Sequence, residues 1–431
     1  MTAALLAQFP RFSEYDPGAA GEGSLDPLGL GAVADRIADR LAPGVRARMS
    51  QPRFVALSAV GAFACQPISD LVASDGKTTF DLAFEWLVVE SLVQHPNPDR
   101  LRGVPGSQKA QRAAKTGDRL SASTYLAGPR VFGFTGVYRP FAQDAQVLGS
   151  DGLPAANAEP LIDAWEKDQQ LGGFITGESG SAGLRLRREI EKECLAALRA
   201  AHSSAPRTGW LMKQLADTMA PREGGLHERA VLRNLITTGK HEVRNELTWL
   251  LSRELPPPDA SQKEIAQTLA MQASPATRMA LMAAIKFESC ATAIEYAFRR
   301  LLAYATSLGG LFTVSQGTNT PQLSGLAPDL GTFTKRAIDA VSELDDSLAH
   351  EVVDCFAHFD HAMSPSEFVD ALLARHQQVQ DTKGKRMWLD PIKHQWAVRP
   401  PYRNQSADLV DDVWTHPIRL HTLVSFLKAT A

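Results

Sequence analysis

The sequence predicts a mainly α-helical, multi-helical protein with a winged-helix-like N-terminal region and a small C-terminal β-hairpin. Three observations carry the helical part. Apolar residues recur three and four apart through most of the chain, alanine is abundant, and glycine and proline fall mainly between these runs. The 431 residues exceed one ordinary core, and 44% hydrophobic against 22% charged suits a chain of two or three domains.

Residues 1–27 read as an irregular arm rich in glycine, proline and acid. Val33, Ile37 and Leu41 mark a helix over 30–42 that Pro43-Gly44 stops. A second apolar helix covers 53–64. A third starts after Thr79, holds Phe80, Leu82, Phe84, Trp86 and Leu87, and ends before Pro96 and Pro98. Short helices, glycines and a tight turn at Asp151-Gly152 make 99–154 the winged-helix candidate. With a helix at 159–170 this closes an N-terminal domain over 28–171, and the glycine-rich 172–183 is expected to be a flexible linker.

A second helical domain is expected over 184–380. Its helices are 184–201, 210–219, a hairpin of 226–236 with 243–255, 261–272, 275–308, 331–344, 347–359 and 365–380. Pro256-Pro257-Pro258 is a stiff break inside it. The 275–308 helix opens with Pro275 after Ser274 and is apolar nearly all round, which predicts a central position. Ser364-Pro365-Ser366-Glu367 is a capping box. Residues 311–328 read as loop. The remainder, 381–431, is read as a hairpin of 385–389 with 394–399, turning at Asp390–Lys393, and a last helix over 417–428.

Charge and cysteine usage exclude several classes. A net charge of −3 gives no global basic field, so any polyanion contact must rest on local charge. Cys65, Cys194, Cys290 and Cys355 are far apart and form no CxxC pair, which points to buried thiols in a reducing cytosol. Neither a leader pattern nor a run of eighteen apolar residues occurs, so a soluble cytoplasmic protein without a membrane partner is expected. Motifs for nucleophile elbows, HExxH metal sites, kinases and dinucleotide folds do not occur. Gly177–Gly183 superficially resembles a phosphate-cradling loop but lacks the Gly-Lys-Ser/Thr ending. No catalytic residue, cofactor or metal is therefore expected.

The local signals are basic. Residues 102–139 hold seven lysines or arginines against Asp118 alone. Here Lys109, Arg112, Lys115, Arg119, Ser121, Ser123, Arg130, Tyr138 and Arg139 are the candidate nucleic-acid contacts, with the helix near Ser121 reading a groove. Residues 375–403 hold seven cations against Asp381 and Asp390, interleaved with Trp388, Trp396 and Tyr402. Lys383, Lys385, Arg386, Trp388, Arg399 and Arg403 are its candidates, since aromatics among cations suit base stacking. The competing reading, slightly favoured there, packs the aromatics inward and leaves the cations in water. Arg185, Arg187, Arg188 and Lys192 form a third basic cluster.

Two constellations bear on catalysis. His350, Asp354 and His358 recur at i, i+4 and i+8, with His361 beyond, on a face opposite an apolar stripe. They read as a solvated face rather than metal ligands. Lys286, Glu288, Glu295 and Arg299 lie in the long apolar helix, where they either line a cleft or, as favoured, form ion pairs such as Glu295 with Arg299.

The segments 376–380, 383–388, 398–403 and His416-Pro417-Ile418-Arg419 are similar to tails of uncharacterised bacterial proteins of phage-defence gene clusters. The resemblance implies an antiviral defence context and assigns no catalytic residue. The expectation is a non-catalytic nucleic-acid-binding subunit or sensor of a bacterial antiphage or DNA-processing system. Its partners would be DNA and other protein subunits. The alternatives are a helical adaptor between proteins, and an enzyme with an unfamiliar site around Glu288, Glu295 and His350–His361.

Overall fold

A computed structural model describes residues 26–126, 128, 133–405, 409 and 413–431. Most of the expected arm and Arg130 lie outside the described residues. The chain is mainly helical, with a three-stranded antiparallel sheet near the C-terminus.

In chain order the helices are α1 (Leu30–Leu41), α2 (Arg53–Ala64), α3 (Phe80–Gln94), α4 (Ser107–Thr116), α5 (Phe134–Asp144) and α6 (Ala158–Asp168). Then come α7 (Ala182–Ala200), α8 (Trp210–Thr218), α9 (Leu226–Thr237), α10 (Glu242–Arg253) and α11 (Gln262–Gln272). The long α12 (Pro275–Ser307) precedes strand β1 (Leu311–Phe312) and two one-turn helices (Val314–Gly317 and Leu323–Leu326) within the expected loop, then α13 (Leu330–Leu344), α14 (Asp346–Phe356) and α15 (Pro365–Thr382). Strands β2 (Leu389–Ile392) and β3 (Gln395–Val398) and helix α16 (Leu420–Ala429) complete the order.

These elements fall into two compact units. One holds 26–40 with Asp259–Ile418, the other Leu41–Pro258 with Arg419–Ala431. In the second unit α2 and α3 are buried along almost their whole lengths, because both are apolar on every side. Phe54 of α2 stacks on Phe134 of α5 at 4.7 Å, and α3 carries α4, α7 and α8. The carboxylate of Glu85 on α3 accepts the Tyr125 hydroxyl (2.9 Å) and both the amide (2.9 Å) and hydroxyl (2.6 Å) of Thr135. Burial outweighs these bonds and pushes Glu85 up to about 7.

The glycine-rich 172–183 stretch, expected as a flexible linker, is instead packed inside the second unit. Glu166 accepts the amides of Gly173 (2.8 Å) and Ile175 (2.9 Å), and Arg187 binds the carbonyls of Phe174 and Ile175. A Cβ on Gly183 would stand 2.1 Å from the Leu171 carbonyl oxygen, so glycine is required there by close approach rather than by flexibility. Within the winged-helix candidate the described residues form α4, α5, one 3-10 turn and the isolated bridge Leu148↔Pro154, plus Ser121↔His202 outside it. No paired-strand wing occurs among them.

In the first unit α12 is central, as its apolar surface requires, and α11 and α13 pack along it. Phe287 meets Phe356 at 5.4 Å. The hairpin forms, but its turn is Lys393-His394 and not Asp390–Lys393. Strand β2 runs on through Pro391, which is tolerated because β2 is the edge of the order β1-β3-β2. Lys393 takes φ 56° to close the turn. Strand β1 arises within residues read as loop, since a two-residue strand carries no alternation to detect. Helix α16 begins at Leu420, three residues later than expected, after Arg419 at φ 69°.

Candidate functional site

The candidate nucleic-acid interface is the outer side of α4. The helix buries only Ala110 and Ala113 and exposes Lys109, Arg112 and Lys115. Spaced three apart, these cations follow one side of the helix over about two turns, with no acidic residue in it. Lys109 Nζ reaches the Tyr125 carbonyl at 3.3 Å, while Arg112 and Lys115 form no ion pair among the described residues. Glycines at both ends, Gly106 (φ 73°) and Gly117 (φ 80°), delimit the helix.

The neighbouring candidates are occupied. Arg119 binds the Ala205 carbonyl at 2.6 Å and faces Glu90 at 3.6 Å. Ser121 shares hydrogen bonds with Ser123 and Thr124, folding a local turn rather than the groove-reading helix expected there. Tyr138, expected at a nucleic-acid surface, is fully buried and its hydroxyl accepts the Gln51 amide at 2.8 Å. Arg139 pairs with Asp81 at 3.6 Å and binds the Ser150 carbonyl.

The 383–403 candidates are corrected more sharply. Trp388 is buried, stacked on Tyr402 with centroids 4.5 Å apart and planes 3° apart, so its ring has no face for a base. Arg399 is buried and binds the Met387 carbonyl, and Arg403 Nε binds the Val398 carbonyl at 2.8 Å. Lys383 binds the Asp26 carbonyl at 2.7 Å, and Arg386 faces Asp390 at 3.5 Å. Lys385 is half-buried. His376 organises this packing. Its Nδ1 donates to the Pro27 carbonyl (2.8 Å) and its Nε2 accepts the Trp388 amide (2.9 Å), an assignment forced because a carbonyl only accepts and an amide N–H only donates. Burial, opposed by the bond to Pro27, pushes His376 down to about 4.

A cationic feature that sequence reasoning missed lies in the second unit. A cleft of about 430 Å³ is lined by Arg53, Arg222, Arg229 and Lys428, with no acid among its lining residues. Arg53 is committed to Glu228 at 3.0 Å, and Arg229 to the Ala431 carbonyl at 2.7 Å. Arg222 and Lys428 are exposed. Their separation along the chain left no local signal.

The acids of α12 find partners far away in sequence. Glu288 and Glu295 are buried, and His416 lies between them. Its Nδ1 is 3.1 Å from Glu288 Oε1 and its Nε2 is 3.3 Å from Glu295 Oε2. Glu295 also pairs with Arg299, as the i, i+4 spacing predicts. Burial alone would lower the His416 pKa, but the charges and hydrogen bonds of both glutamates overcome it and push the group up to about 10. His350, Asp354 and His361 are exposed and His358 half-buried, each outside this cluster. All four cysteines are buried free thiols. No helix among the described residues is long and apolar enough to cross a membrane. No protein-family model, curated protein or solved structure matches the chain.

Proposed function

We propose that this chain is a non-catalytic nucleic-acid-binding protein, with DNA as the expected form, that meets phosphates along the outer side of α4. The observation that carries the reading is the row Lys109, Arg112 and Lys115, exposed on a helix without acid. Phosphate contacts from such a row position a duplex without reading its sequence. The acid-free cleft with Arg222 and Lys428 supports the same polyanion chemistry. The reading uses a helix face; the winged-helix arrangement over 99–154 enters it only through α4 and α5. The tail's resemblance to proteins of phage-defence clusters supports an antiviral setting.

Titration of a labelled duplex across a range of salt tests the proposal. Three phosphate contacts give a slope of log affinity against log salt near −2.7, at about 0.9 per contact. Binding that is undetectable at low salt, or indifferent to salt, would reject it. The adaptor reading makes the opposite forecast, a protein partner retained after nuclease treatment.

A further inference from the structure

We propose that Asp26, Glu295 and His416 bind one divalent transition-metal ion, with Glu288 orienting the histidine. One donor atom from each of the three lies within 4.8 Å of the others, close enough for a common ion. All four residues belong to the first unit, and the inference does not rest on the nucleic-acid reading.

The arrangement is built from both sides of each donor. Glu295 has one oxygen, Oε1, taken by Arg299 through Nε (2.9 Å) and Nη2 (2.5 Å). Its other oxygen, Oε2, is buried and turned to His416 Nε2 at 3.3 Å. An ion between Oε2 and Nε2 would take the place of the proton that this pair holds when His416 is charged. His416 turns Nδ1 toward the buried Glu288, the carboxylate–histidine pairing that fixes which nitrogen faces a metal. Asp26 uses Oδ1 to accept the Leu30 amide at 2.9 Å, which anchors it at the start of α1. In all three residues one polar atom is held by the protein and a second is turned toward the cluster.

Two further features hold the donors in place. Tyr296 of α12 donates to the Val413 carbonyl at 2.6 Å, and the Thr415 amide donates to Thr292 at 3.2 Å, so the segment carrying His416 is tied to α12. At Gly31 a Cβ would stand 3.3 Å from both Asp26 Oδ2 and His416 Cδ2, so the small residue leaves room for the two donors side by side. Asp26, Glu288 and Glu295 bring three carboxylates, which Arg299, Lys383 at 3.7 Å from Asp26 and a protonated His416 balance, so the ion would take the place of the charge that the Nε2 proton brings. Binding leaves Nδ1 protonated toward Glu288, and any proton on Nε2 departs to solvent as the ion takes its lone pair. Two carboxylate oxygens with one imidazole nitrogen select Mn²⁺ or Zn²⁺ over Mg²⁺ and Ca²⁺, which take oxygen ligands. The ion would clamp three segments that lie far apart in the chain.

The test is calorimetric titration of the untagged, metal-stripped full chain with ZnCl₂ and with MnCl₂, followed by melting with and without the ion. One equivalent should bind in the wild type and raise Tm. Glu295→Gln and Asp26→Asn should each weaken binding roughly tenfold or more, and Glu288→Gln by about 10- to 100-fold. His350→Ala with His358→Ala, which removes exposed histidines, should leave binding unchanged. If Glu295→Gln fails to fold, Asp26→Asn decides, since Asp26 is half-buried and asparagine keeps the bond to the Leu30 amide. Wild-type protein that binds neither ion saturably, or Asp26→Asn protein that binds with wild-type affinity, overturns the site. The cluster would then be an ion triad closed by a protonated His416.

Discussion

Segments 102–139 and 375–403 carry the same number of cations in the sequence, yet the fold treats the cations beside their apolar residues differently. Around α4 three cations are exposed on a helix whose inward side is alanine, and one of them, Lys109, reaches a backbone carbonyl. Around the hairpin Arg399 and Trp388 are buried, and Arg403 and Lys383 are bonded to backbone carbonyls. The difference lies in the apolar residues between the charges. Alanine is too small to pull its neighbours inward, so the cations of α4 stay outside. Trp388, Val398 and Tyr402 bury large surfaces and carry the adjoining arginine in with them. A count of local charge therefore measures interface potential only where the intervening side chains are small.

The comparison can be broken at several points. The largest effect is expected for Trp388→Ala, which empties the stack on Tyr402 and should cost about 3–5 kcal/mol of stability by chemical denaturation. Nucleic-acid affinity of the remaining folded protein should keep its salt slope. A variant that unfolds no more readily but loses affinity would show that the hairpin, and not α4, is the interface.

Next comes pH. His376 is held neutral in the folded chain, down at about 4 against 6.5 when unfolded. Between these values the unfolded chain takes up the proton and the folded chain does not. The contribution of this group should therefore fall by about 3 kcal/mol as pH drops from 6.5 toward 4, against an opposing rise from Glu85, whose raised value of about 7 lets the folded chain take the proton first. Protonation would also remove the acceptor for the Trp388 amide. His416, raised to about 10, makes its contribution in full below 6.5 and so adds no slope in that window. His376→Gln should make stability at pH 4.5, measured against that at pH 7, higher than in the wild type; an unchanged difference would place the titration elsewhere.

Third, reversing α4 with Lys109→Glu, Arg112→Glu and Lys115→Glu should lower duplex affinity about 100-fold at low salt and flatten its salt slope. Tm should stay within a few degrees, because the three side chains are exposed. Unaltered affinity would move the contact to the cleft of Arg222 and Lys428. The smallest effect is expected for Lys385→Ala with Arg386→Ala. Arg386 is exposed and faces Asp390 at 3.5 Å, so affinity should change less than about threefold in the same titration.

Much of the helical frame was legible because its signals are local. Pro275 after Ser274, the capping box at Ser364 and the apolar run of α2 each lie within one or two turns, and the structure has helices at all three. The hairpin was legible in kind and misplaced in register, since Pro391 reads as turn until β2 is known to be an edge. The candidate sites were legible only in part. Glu288 and Glu295 could be singled out as charges in an apolar helix, but Asp26 and His416 had no signal, lying respectively 269 and 121 residues from Glu295.

By itself, then, the sequence determined where most of the long helices lie, that α12 is central and that the four cysteines carry no paired spacing. These follow from propensity, capping and period, which act between neighbours in the chain. Only the tertiary structure decided which charges meet water and which meet each other. Tyr138 and Trp388 went inward, Lys109, Arg112 and Lys115 stayed out, and His416 came to rest between two buried glutamates. Burial and pairing depend on contacts between distant segments, and no local pattern encodes them.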